Sequence, residues 1–121
     1  MNQIVSLQEL AQILRKSYYK VDVIELDSFE CMLYNSFVIL LSQQKVVVYG
    51  EKEYVNIIYA ENVEHMDEQT GDVLSTVRGY ILEIIGENGP DMSGQVRLNA
   101  NSVLEALDKC DLWKLPLKLR G

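Results

Sequence analysis

The chain is 121 residues long, 48% hydrophobic and 24% charged, which fits one globular domain and excludes both a two-domain chain and a disordered one. Its net charge of −7 opposes non-specific binding to nucleic acid and anionic membranes and favours basic partners. The acidity is local: eleven of the eighteen acids, and only two bases (Lys45 and Lys52), lie between residues 21 and 72.

Ser6 and Glu9 stand at capping-box spacing, where a hydroxyl and a carboxylate satisfy each other's backbone donors. Leu7, Leu10, Ile13, Leu14 and Tyr18 follow at helical spacing, predicting a helix over 6–18. From Lys20 the residues become β-branched and aromatic. Val21 and Val23 alternate with Asp22 in a strand, and 29–34 reads as another. The apolar runs 37–41 and 45–49 flank Ser42-Gln43-Gln44, which predicts a hairpin. Both runs are apolar on both faces, so both sides of their sheet should be covered. Residues 54–59 form a further strand after the charged turn at 50–53.

Residues 61–85 admit two readings. Asp67 to Asp72 resembles a hairpin loop with Gly71 supplying positive φ, and Thr76, Val77, Tyr80, Ile81 and Ile84 favour strand. Val73, Leu74, Val77, Tyr80, Ile81, Ile84 and Ile85 also fit a helical stripe that Gly86 would end. The strand reading is preferred, with a third helix over 72–85 as the alternative. Residues 86–94 are a loop by composition, and 95–98 a short strand. Asn101 or Ser102 caps a final helix, with Glu105 at capping-box spacing from Ser102, and Pro116 stops it. The tail 115–121 places Leu115, Leu117 and Leu119 on one face of an extended segment. Such a strand covers the domain's own sheet edge or adds to a neighbouring chain. The architecture expected is α+β over residues 1–121: an antiparallel sheet of about five strands with an N-terminal and a C-terminal helix.

Chemistry is sparsely signalled. His65 is the sole histidine, and Cys31 and Cys110 lie far apart without a motif, so no zinc site assembles. The cysteines read as buried free thiols, which with no signal-peptide pattern points to a soluble protein of a reducing cytoplasm. Glu61, Glu64, Asp67, Glu68 and Asp72 lack EF-hand spacing and read as a solvated acidic edge. Phosphate-binding glycine motifs are absent, and no cofactor is expected. Glu83 sits among apolar residues and is expected to face solvent.

The function expected is a non-enzymatic interaction protein of bacterial or phage type, akin to an inhibitor, immunity protein or nucleic-acid mimic. It would bind a basic protein surface through Glu51, Glu53, Glu61, Glu64, Asp67, Glu68 and Asp72, with Tyr54 and Tyr59 as anchors. The alternative is a homo-oligomeric structural or regulatory subunit pairing through 37–41, 45–49 or the tail. A small-molecule binder or carboxylate-dependent enzyme ranks third.

Overall fold

The computed structural model describes residues 5–26, 31–34, 37–40, 44–66, 69–87, 89–91, 96–116 and 118. The chain runs α1 (Leu7–Leu14), β1 (Val21–Glu25), β2 (Cys31–Tyr34), β3 (Phe37–Leu40), β4 (Gln44–Tyr49), β5 (Tyr54–Met66), β6 (Val73–Gly86), β7 (Gly89–Asp91) and α2 (Ala100–Leu107). The main sheet has the order β1-β4-β5-β6-β7, with every neighbouring pair antiparallel. Four strands carry it, and β7 adds three residues at one edge. The α+β architecture with two helices agrees with expectation, and the strand count agrees roughly.

Ser6 caps α1, its Oγ accepting from Glu9 N–H at 3.2 Å. The helix is shorter than expected because Tyr18 leaves it to bridge Lys114. One stripe of α1 buries Leu7, Leu10, Ala11 and Leu14, and α2 buries Ala100, Val103 and Leu107. Both stripes meet Val21, Val46, Val48, Val55, Ile57 and Tyr80 on one sheet face. Each such side chain contributes about 1.5–3 kcal/mol when buried. On the opposite face Val47, Ile58 and Ile81 are buried too, so the doubly apolar run of β4 is covered on both sides. Asn56 lies on that second face, donating from Nδ2 to Glu83 Oε1 at 3.0 Å, and its Oδ1 is buried without a partner among the described residues.

Several local expectations are corrected. The hairpin of 37–41 with 45–49 does not form. Instead β3 pairs with β2, Tyr34 opposite Phe37, while β4 lies between β1 and β5. Only two residues separate β2 from β3 in sequence, fewer than the three between the runs 37–41 and 45–49. Since β4 has a strand on either side, it cannot pair with a second copy as an edge.

Residues 73–86 are strand, not helix, and their loop places Gly71 at φ 74. Both faces of β6 contribute buried residues, Tyr80 on one and Ile81 on the other. Adjacent apolar pairs follow, and these imitate a helical stripe. The expected loop at 86–94 instead begins with a tight turn, Gly86 opposite Gly89, leading into β7. Of the expected strand at 95–98, Arg97 forms an isolated bridge among the described residues, exchanging two backbone bonds with Tyr80 at 2.7 and 2.8 Å.

The cap of α2 is Asn99 rather than Asn101 or Ser102. Its side chain accepts from Ser102 N–H at 3.0 Å, and Ser102 Oγ accepts from Asn99 N–H at 3.2 Å. Asn99→Ala should cost about 1 kcal/mol in urea unfolding. Asn101→Ala, at an exposed position inside the helix, should leave the midpoint unchanged.

Candidate functional site

The C-terminal segment returns to the sheet end where β1 begins and β4 finishes. Tyr19 N–H donates to Trp113 O at 2.8 Å, Leu115 N–H to Ser17 O at 2.9 Å, and Trp113 N–H to Tyr49 O at 3.1 Å. Extended chains alternate their side chains, so each adjacent pair splits. Tyr18 and Leu112 go inward, leaving Tyr19 68% and Trp113 45% exposed. Tyr19, Lys20, Leu112, Trp113 and Lys114 line an open cleft of about 650 Å³.

Lys20 joins the cleft to a second aromatic pair. Its Nζ sits 4.5 Å from the centroid of Tyr49, and Tyr49 stacks on Tyr54 at 6.3 Å. Burial raises the Tyr49 phenol above its ordinary pKa, reinforced by the Asp22 carboxylate it hydrogen-bonds and by Tyr54. Lys114 Nζ is 3.1 Å from Asp108 Oδ1. The charged residues lining the cleft are Lys20 and Lys114, while Glu51, Lys52 and Glu53 lie in the turn that packs on Asp111, next to Leu112. Glu53 Oε2 accepts from Asp111 N–H at 3.3 Å. Cys110 beneath this segment donates to Ala106 O at 3.7 Å. Burial pushes its thiol pKa up, as does Glu53, while Lys114 lowers it. This is the environment of an inert thiol.

The acids and tyrosines singled out by the sequence fall into separate places. Glu51 is exposed, Glu53 half-buried and Tyr54 39% exposed, all at the cleft end. Tyr59 is half-buried on the helix-covered face, its ring edge-on to Tyr80 at 5.7 Å. Asp72 is exposed at the far end of the β5–β6 hairpin. Glu61 and Glu64 lie on the distal half of β5, with side chains outside the described residues, as are Asp67 and Glu68 altogether. Along β5, Glu61 lies roughly 23 Å and Glu64 roughly 33 Å of strand from Tyr54, and the loop acids lie farther still. Leu115 bonds back to its own chain through Ser17, and Leu117 and Leu119 lie outside the described residues. Glu83 is half-buried against Asn56 rather than free in solvent.

Sequence reasoning missed Tyr19, Lys20 and Trp113. A signal for two of them was present: Tyr18-Tyr19 and Leu112-Trp113 are adjacent large side chains, and an extended segment can bury only one of each pair. Among the described residues no group of three His, Cys, Asp or Glu could hold a metal ion. Nor is any helix among them long and apolar enough to cross a membrane. No protein-family model matches the chain, and neither a curated protein nor a solved structure does.

Proposed function

We propose that this chain is a non-enzymatic protein-binding module that docks a basic partner surface at the Tyr19–Trp113 cleft. One observation carries the reading. Of the four exposed large apolar side chains among the described residues, Tyr19, Tyr54 and Trp113 gather at this one end of the sheet. Tyrosine and tryptophan contribute large rigid contact area at little entropic cost, and they dominate interface energetics. Glu51, Glu53 and Asp111 beside the cleft supply acidic groups that suit cationic groups of a partner. The chain's net charge of −7 would speed encounter with such a surface. The distal acids Glu61, Glu64, Asp67, Glu68 and Asp72 act in this scheme by long-range steering rather than by contact. A bacterial or phage protein acting in the cytoplasm as an inhibitor or immunity factor fits this scheme.

The test is parallel affinity capture from the source organism's lysate with the full chain, Trp113→Ala and Tyr19→Ala. A basic protein should be retained at low salt by the full chain and released by moderate salt. Each variant should weaken its binding by about 2 kcal/mol, or roughly thirtyfold, as hot-spot truncations do. Identical retention and identical salt release by all three baits would sink the proposal.

A further inference from the structure

Among the described residues, no strand lies beside the outer edge of β1, where Arg15 caps Val21 O, and the charges there are arranged as a two-fold axis would require. Tyr49 N–H donates to Lys20 O at 3.2 Å. Antiparallel ladders alternate, so Asp22 and Ile24 bond towards β4 while Val21, Val23 and Glu25 turn their backbone groups away from the sheet. The Arg15 guanidinium marks that outward direction, donating to Val21 O from Nε at 3.2 Å and from Nη2 at 3.0 Å. The backbone groups of Val23 and Glu25 meet no outer-edge partner among the described residues. The other edge of the sheet is β7, only three residues long, and Arg97 pairs with β6 beside it.

We propose that β1 is a homodimerisation edge, pairing antiparallel with β1 of a second copy about a two-fold axis at Val23. Self-complementarity selects this occupant. With Val23 opposite Val23 of the second copy, Val21 falls opposite Glu25, and Asp22 opposite Ile24. On pairing, Val21 O passes from Arg15 to the Glu25 N–H of the second copy, and the released Arg15 guanidinium meets the exposed Glu25 carboxylate of that copy, a contact that occurs twice. The guanidinium fork matches a carboxylate, which replaces the carbonyl it leaves. No like charges stand directly opposite one another. A basic segment on this edge would instead meet Arg15, and an acidic one would meet Asp22 and Glu25. The paired strands join the two sheets into one continuous sheet. Five residues a side make a small interface, so dimerisation depends on concentration. The edge is independent of the cleft: of the cleft's lining side chains, none lies on β1.

Sedimentation velocity of the full chain, in a concentration series reaching the millimolar range, tests this directly. The unmodified chain should show a concentration-dependent dimer. Arg15→Glu or Glu25→Arg alone should weaken it by about tenfold or more, since each reverses two ion pairs. The two substitutions together should restore it to within about threefold. Val23→Pro removes an outward N–H and no bond to β4, and it should give a folded monomer by far-UV circular dichroism. A chain that stays monomeric throughout overturns the proposal. So does a dimer indifferent to Val23→Pro and to the charge exchange. Tighter association of Arg15→Glu would also overturn it, by making Arg15 a guard of the edge.

Discussion

Gly50→Ala should be among the most destabilising single-methyl additions in this chain, and it should open the aromatic cleft as well. Gly50 follows β4 and lies directly under the returning C-terminal segment. A Cβ there would stand 1.9 Å from Asp111 O and 2.8 Å from Leu112 Cα. Both obstacles are backbone, so no side chain can rotate away, and either the β4–β5 turn or the 111–113 segment must move. The cost should reach or exceed the top of the usual overpacking range of about 1–3 kcal/mol. In a domain of this size that is a loss of roughly 10 °C in Tm. Trp113 is the sole tryptophan, so its fluorescence reports separately on whether the segment has lifted. Gly71→Ala is the informative contrast, because φ is +74 there but nothing lies within 4 Å. It should cost only about 1–2 kcal/mol from backbone strain and leave Trp113 emission unchanged. Equal effects at the two positions would mean that Asp111 does not pack on Gly50.

That contrast also shows where reading the sequence reached its limit. Local signals were legible. Ser6 capped the helix that its spacing promised, Gly71 adopted the positive φ that its loop required, and Val21 and Val23 formed a strand. Pairing between distant segments was not legible. Nothing in residues 37–41 distinguishes a partner at 45–49 from one at 31–34, because both are apolar and both closures are short. The 73–86 strand was ambiguous for a related reason: with buried residues on both faces, period two and period 3.6 leave similar traces. The acidic site was inferred from density along the chain, and a strand of thirteen residues then spread its members along its length. The cleft was hidden because it joins residues 19–20 to 112–114. Only the return of the C-terminal segment brings these together, and no local pattern encodes that return.

Replacing Tyr80 should show that one buried hydroxyl ties the chain's first described residue to the middle of the sheet. Tyr80 is fully buried, and its hydroxyl accepts from Val5 N–H at 2.9 Å and donates to Val5 O. Its ring also meets Tyr59 edge-on, and its backbone holds Arg97. Tyr80→Ala should therefore cost about 3–5 kcal/mol, as large aromatic truncations in cores do. Tyr80→Phe keeps the ring and removes both bonds to Val5. Val5 is only half-buried, so water can reach its freed groups, and the loss should sit near the low end of about 1–3 kcal/mol. The pH dependence identifies the hydroxyl. Burial raises the Tyr80 pKa, Tyr59 and Glu9 raise it further, and the bond to Val5 opposes them. A phenol with a folded pKa above its unfolded value of about 10 contributes its full stability below that pH. The contribution falls as pH rises through the folded pKa, because the unfolded chain then releases its proton more readily. Urea midpoints measured from pH 8 upward should therefore show the advantage over Tyr80→Phe constant at first and narrowing above about pH 10. Tyr49, whose pKa is also raised, contributes its own alkaline slope, but it does so in both proteins and cancels in the difference. A gap that stayed constant, or widened, at high pH would show that burial does not hold the Tyr80 phenol above its unfolded pKa.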